Sequence, residues 1–359
     1  MKTLRDRCVL VFTAGDHTTA SSKYRAFLLG TYLTRARPDI EWNIISPSTK
    51  EMSALSYSRQ IWAAAKQAFQ LLWFPRHHVV YIQRAIYNKF VFVTLLLQNV
   101  LRIRPSIFDF DDAIFMHSAF KTRWLCKTSS AVIVGSHHLE NYARRYNKNV
   151  TFIPTCVKFS DYSNIERNTK VSDDVTIGWL GDAPAYLPEV RFLADVLRAL
   201  YARNPRFKLL FIGSQGSSEI EGLFNFFPIE KRTIVDYIDT QSDADLVPYF
   251  AQMDIGVMPL MDTEWNKGKC AFKAVQYMAS GAAVVASPVG QNSFLIDHEM
   301  NGILARTQDE WVASLLELIE NPLLRERLGT AAREHVRKHY SYESHIPSVV
   351  ALIDSLAQG

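Results

Sequence analysis

A chain of 359 residues, 48% hydrophobic and 21% charged, is too long for one ordinary domain and too apolar for a disordered one. At roughly 150 residues per domain it holds about two, and its composition excludes a collagen-like fibre or a coiled coil. The net charge of +4 is uneven: residues 1–105 carry 15 Lys and Arg against 5 Asp and Glu, the remainder 25 against 31. An acidic partner for the first lobe is therefore expected: a phosphate, a nucleic acid or an anionic membrane surface.

Strand and helix patterns alternate along the chain. CVLVFT at 8–13 is a short unbroken apolar run, as in a strand buried on both faces of a parallel sheet. Ser21 or Ser22 can cap a helix over 24–33. A strand at 40–45, helical material over 57–73, a strand at 79–83, a helix over 87–101 and strands at 106–110, 131–135 and 150–154 complete a first series. The polar stretch 160–174 is a linker candidate. A second series places strands at 175–180, 208–213, 233–237, 254–259, 283–287 and 302–305, with helices between them and a last helix over 345–358. Such alternation predicts doubly wound parallel sheets, whose ligand sites lie beyond the carboxyl ends of the strands.

The four cysteines, Cys8, Cys126, Cys156 and Cys270, share no metal-ligand spacing and are expected to be reduced and mostly buried. No secretory leader is read in Met1 to Asp16, so a cytosolic location is expected. The apolar stretch 90–101 is broken by Gln98 and Asn99 and is too short to span a bilayer.

The most informative segment is 254–292, DIGVMPLMDTEWNKGKCAFKAVQYMASGAAVVASPVGQN. A buried strand exits at Pro259, and a polar loop leads to a helix predicted to begin at Cys270. Gly268 and Lys269 then stand near a helix N-terminus, which favours anions. Lys269 and Lys273 are four apart and are expected on one helix face, with Gln276 one turn on. Two cations and an amide there suit a diphosphate and its ribose.

This segment resembles the donor-binding region of the retaining glycosyltransferases of family 4, in particular a bacterial branch with the order DIGxMPL, Trp, GKC, Lys, QYMA. The matching residues include Asp254, Pro259, Trp265, Gly268, Lys269, Cys270, Lys273, Gln276 and Tyr277. The resemblance covers nearly the whole chain. It implies the GT-B fold, two Rossmann-like doubly wound domains facing a cleft. The expected boundaries are 1–160 for an acceptor domain and 161–340 for a donor domain, with a helix in 341–359 packing back on the first.

The resemblance implies transfer of a sugar from a nucleotide-diphosphate sugar to a hydroxyl acceptor with retention, in bacterial surface polysaccharide or glycolipid assembly. IGWLGD (Ile177–Asp182) takes the place of the family's phosphate-facing loop, so Gly181 and Asp182 are donor-binding candidates. The base is expected near the loops at Gly213 and Tyr237, and Trp265 in the donor loop. The wider family has two glutamates eight residues apart; here those places hold Gly268 and Gln276. Asp262 and Glu264, beside Trp265, are candidates to take over the sugar contacts.

Lys269, Lys273, Asp111 and Arg25 are the catalytic candidates. Arg25 comes from SSKYRAF and Asp111 from IFDFDDAIF, where Asp109 or Asp112 alternatively caps the next helix. A bare DxD suggests a divalent cation, but GT-B relatives imply no metal and no other cofactor. An amphipathic basic element around Trp62, Lys66, Phe69 and Trp73 suits an anionic membrane surface, so a peripheral location at the inner face of the plasma membrane is expected. The acceptor is then a glycan or a lipid-linked one. No nucleic-acid motif accompanies the basic lobe, and no GxGxxG follows the first strand. A non-catalytic nucleotide-sugar-binding protein, or an epimerase or hydrolase of the same fold, is the alternative.

Overall fold

A computed structural model of the chain describes residues 7–46, 57–73, 77–84, 89–165, 174–236 and 245–358. Of the linker candidate 160–174, residues 166–173 fall outside the described residues, as does Tyr237, while 160–162 lie in the short helix Phe159–Tyr162. The chain divides into two compact units, one of residues 1–156, 268–270 and 342–359, the other of 157–267 and 271–341.

The first unit is built on strands β1 (Arg7–Thr13), β2 (Ile40–Ile45), β3 (His77–Gln83), β4 (Ser106–Phe110), β5 (Ala131–Val134) and β6 (Val150–Phe152). They form one sheet in the order β2-β1-β3-β4-β5-β6, every pair parallel. The strands read as unbroken apolar runs because both faces are covered: Val9, Val11 and Tyr81 on one face and Val80, Ile82 and Phe108 on the other are all at or below 1% exposure. The C-terminal helix Tyr342–Ala357 covers one face, with the Tyr342 hydroxyl donating to the Tyr24 carbonyl (2.7 Å) and its ring stacked on Tyr32.

Sequence and structure part at three places here. The first helical run begins at Ala20, not after Ser22, and is π-helical over Lys23–Leu28. Ser21 and Ser22 cap nothing; they turn inward to polar partners described below. A helix at Phe115–Thr128 follows β4, and neither Asp109 nor Asp112 caps it, because its N-cap is Ile114 and has no side-chain bond. Its kink at Ser118 (φ −145°, ψ 55°) interrupts the helical period that would otherwise mark it.

The second unit carries β7 (Val175–Leu180), β8 (Phe207–Ile212), β9 (Arg232–Val235), β10 (Ile255–Met258), β11 (Ala283–Ala286) and β12 (Ile303–Leu304). Their order is β12-β11-β10-β7-β8-β9, again all parallel. Apolar cores lie on both faces, one around Trp179, Leu193, Phe211 and Trp311, the other around Phe250, Val275 and Tyr277. In each sheet the strand order reverses at one point, between β1 and β3 in the first unit and between β7 and β10 in the second. In open α/β sheets a crevice for ligand opens at that reversal, outside the carboxyl ends of the strands.

Candidate functional site

In the second unit the reversal point lies beside the end of β7. Leu180 N–H donates to the Tyr277 hydroxyl (2.7 Å), and Gly181 N–H donates to the Ile212 carbonyl (3.0 Å). Burial pushes the Tyr277 phenol above its ordinary range, against the opposing pull of the Leu180 N–H it accepts from. Gly213 follows β8 with φ +103°, and a Cβ there would lie 1.7 Å from the Gly181 carbonyl oxygen. Only glycine fits, on both conformational and steric grounds. Ala183 N–H donates to the Gly213 carbonyl (2.9 Å), which ties the two loops together, and Asp182 between them is exposed.

The helix Phe272–Ala279 starts next to this corner. Its N-cap, Ala271, is left-handed (φ 56°). The helix therefore does not extend back to Cys270, and Lys269 does not share a helix face with Lys273. Lys273 is on the first turn. Its Nζ stands 3.9 Å from the centroid of the Tyr186 ring and 6.0 Å from that of Trp179, and its Cε lies 3.0 Å from where a Cβ on Gly181 would be. Among the described residues its ammonium has no carboxylate partner. One turn on, Gln276 is 3% exposed, and among the described residues its amide makes no hydrogen bond. A partly buried cation, a buried amide and glycine loops at a helix start suit an anion with hydroxyls attached to it.

The loop before residue 268 is anchored by residues that the sequence reading does not name. Glu189, 5% exposed, accepts from Asn266 Nδ2 (2.8 Å) and from Met261 N–H (3.3 Å), and Asn266 also donates to the Met261 carbonyl (2.9 Å). Trp265 is half-buried in the short helix Glu264–Lys267. Asp262 and Glu264 pair with Lys267 at 3.2 and 3.1 Å.

In the first unit the reversal point carries a buried polar cluster. Arg25, 4% exposed, places Nη2 2.5 Å from Asp109 Oδ1 and Nε 2.9 Å from Oδ2, while Nη1 donates to the Ile153 carbonyl and Thr155 Oγ1. All three guanidinium nitrogens are thus engaged inside the unit. Burial raises the fully enclosed Asp109 carboxyl above its ordinary value, against the pull of Arg25.

Asp111 accepts from Ser21 Oγ (2.7 Å) and Arg84 Nη1 (3.1 Å), and Asp112 accepts from the same Arg84 nitrogen (2.8 Å). Burial works to raise Asp111, but Arg84 and Arg25 outweigh it and hold the carboxyl below the usual range. For Asp112 burial wins and the carboxyl is raised. Gln83 donates to Ser21 Oγ (2.7 Å) and accepts from Ser22 Oγ (3.0 Å).

Residues 268–270 belong to this unit. Lys269 Nζ is 3.7 Å from Asp112 Oδ1, and Cys270 Sγ donates to the Asp111 carbonyl (2.7 Å). A Cβ on Gly268 would meet Ala113 Cβ at 2.6 Å and the Ala113 backbone nitrogen at 2.8 Å, so the close approach requires glycine there. Among the described residues no group of three or more His, Cys, Asp or Glu side chains is placed to hold a metal ion. Arg84, Gln83, Tyr186, Glu189 and Asn266 were not singled out from sequence. Arg84 was within reach of the rule that sites follow strands, since it directly follows β3 and has φ 49°.

Residues 174–321 match the family described as Glycosyl transferases group 1. Among curated proteins the chain is similar to the trehalose synthase of Pyrococcus horikoshii, 25% identical over 168 residues, which are 45% of this chain and 40% of that protein. Among solved structures it is similar to a sucrose-phosphate synthase from Thermosynechococcus elongatus, with TM-score 0.72 and 16% identity over 98% of this chain and 99% of that one. It is also similar to Anabaena HepE in complex with UDP and glucose, with TM-score 0.72 and 13% identity over 98% and 100%. With the two sheets above, these likenesses show the GT-B fold.

Proposed function

We propose that the protein is a retaining glycosyltransferase of family 4, a hexosyltransferase moving a sugar from a nucleotide-diphosphate sugar to a hydroxyl. The observation that carries the reading is the corner made by Gly181, Gly213, Lys273 and Gln276, a helix-start cation beside glycine loops at the sheet's reversal point. The match of 174–321 to glycosyl transferases covers that corner, and relatives of the same fold crystallised with UDP and glucose support it.

In this reading Lys273 neutralises the leaving diphosphate and the Gly181 loop approaches it with backbone N–H groups, while Lys269, beside Asp112 in the first unit, is kept as a further catalytic candidate. Gln276 bonds the ribose in place of a carboxylate. The bond from the anomeric carbon to the diphosphate oxygen breaks, the bond to the acceptor oxygen forms on the same face, and the acceptor proton passes to a donor phosphate oxygen. No protein carboxylate serves as nucleophile, unlike the two-carboxylate glycosidases. Asp111, kept ionised, faces the sugar or acceptor hydroxyls, and Arg25 acts through Asp109 as a positioning residue. The step uses no metal and no cofactor beyond the donor. We place the reaction in bacterial surface polysaccharide or glycolipid assembly, on the cytoplasmic side of the plasma membrane, with a glycan or lipid-linked acceptor.

A thermal-shift panel of nucleoside diphosphates and nucleotide sugars tests the reading. A selective ligand at about 100 times its dissociation constant stabilises the native state by about 2.7 kcal/mol, and the donor found is then assayed with and without hydroxyl acceptors. No shift with any nucleotide contradicts the reading, and donor hydrolysis without transfer favours the hydrolase alternative.

A further inference from the structure

Fifteen large apolar side chains are exposed among the described residues, and eleven of them fall between Ile61 and Phe120. They sit on three neighbouring helices of the first unit, Tyr57–Trp73, Lys89–Val100 and Phe115–Thr128, and on the turn after the second. On the middle helix Phe90, Val93, Leu97 and Val100 repeat every three or four residues and are 36–53% exposed, with Leu101 at 67% just beyond. The opposite side of that helix is also apolar, through Val91, Phe92 and Leu95. Apart from Gln98 and Asn99, which hydrogen-bond on its buried side, the helix is apolar on both sides, and its exposed side calls for a covering. Trp62 at 74% and Phe69 at 55% continue the surface on one side, and Met116 and Phe120 on the other.

The charge carried by these helices and the segments that join them, outside 109–112, has one sign. The sequence has no Asp or Glu between Glu51 and Asp109, and none between Asp112 and Glu140. Lys66, Arg102, Arg123 and Lys127 are on or beside the apolar stripes. Lys89, Lys121 and Lys127 each hold the ammonium 5.4–5.7 Å from the centre of an aromatic ring, those of Phe90, Phe92 and Trp124. Lysines laid along aromatic rings keep the charge at the rim of an apolar surface. Two such faces repel each other, so a second copy of the chain is a poor occupant. An apolar patch with a basic, acid-free rim complements an anionic phospholipid surface.

We infer that these three helices form a docking face for an anionic phospholipid bilayer, with Phe90, Val93, Leu97, Leu101 and Phe120 entering the interface. Among the described residues no helix is long and apolar enough to cross a membrane, and the inferred contact lies along the surface. The inference rests on the reading above for its setting, but vesicle binding is read without turnover, so either can fail alone.

The test is flotation of the full chain with phosphatidylcholine vesicles and with vesicles containing about one-third phosphatidylglycerol. The chain should float with the anionic vesicles and stay behind with the neutral ones. A Leu97→Glu/Leu101→Glu variant and an Arg123→Glu/Lys127→Glu variant should each lower the bound fraction about tenfold or more, as should salt raised to about 1 M. All these positions are exposed, so melting temperatures should match the wild type; the salt series on the wild-type chain stands if a variant does not fold. Equal flotation on both vesicles, no flotation, or variants that float like wild type would overturn the inference. Self-association abolished by Leu97→Glu/Leu101→Glu, with no flotation, assigns the face to a second copy and overturns it as well.

Discussion

The Lys273 ammonium stands over the face of Tyr186, 3.9 Å from ring centre to Nζ. A cation over an aromatic face gains about 0.5–2 kcal/mol, more where water is excluded. The ring thus holds the lysine at the end of β7 without neutralising it, as a carboxylate would. A Tyr186→Leu variant should keep the fold and weaken donor binding by about threefold to tenfold, read as KM for the donor. An unchanged KM contradicts a positioning role for the ring.

Gly213 should not tolerate a side chain. Its φ of +103° and the 1.7 Å approach to the Gly181 oxygen leave no room for a Cβ. Gly213→Ala should cost about 1–3 kcal/mol from backbone strain alone, read by denaturant unfolding, and should displace the Gly181 loop so that donor binding falls too. Wild-type stability in that variant would show that the two loops are not in contact in solution.

Most of the architecture is legible in the sequence, because strands buried on both faces read as unbroken apolar runs whatever their neighbours. Strand ends were displaced by a residue or two, as at 208–213 against Phe207–Ile212, since the periodicity does not mark where pairing stops. At the candidate site, local backbone shape is legible where residue type dictates it, at Gly181 and Gly213. The site is not legible where a cluster is assembled from distant segments. Arg25 and Asp109 are 84 positions apart and meet only when β1 and β4 share a sheet. The Lys269–Lys273 spacing misled because a left-handed residue, Ala271, which is not glycine, sits between them.

Arg25 is expected to be a positioning residue. Removing it leaves the fully buried Asp109 without its counter-ion, and breaking one partner of a buried pair costs about 3–5 kcal/mol. Arg25→Ala should therefore lose that stability in chemical unfolding. Arg25→Lys, which restores charge without the fork, should recover only part of it. Loss of turnover at wild-type stability would instead place Arg25 on the substrate.

The four cysteines are free and buried. Burial pushes Cys126 and Cys156 up to about 12, and Cys270 well up through burial and then Asp111. Their folded values lie above the unfolded value of about 8.5. The stability they contribute is then complete below about pH 8.5 and is lost as pH climbs toward about 12. Native protein at pH 8 should react slowly with a thiol reagent and denatured protein should release all four thiols. A Cys126→Ala/Cys156→Ala variant should show a shallower alkaline fall in melting temperature. Rapid labelling of the native chain contradicts the burial.

Calorimetric titration of nucleoside diphosphates into wild type and Lys273→Ala tests the donor corner most directly. Losing one charged contact to a phosphate costs about 1.5–3 kcal/mol, so the variant should bind about tenfold to a hundredfold more weakly with its melting temperature unchanged. Equal affinity in the two proteins would mean that the diphosphate does not sit at this helix start.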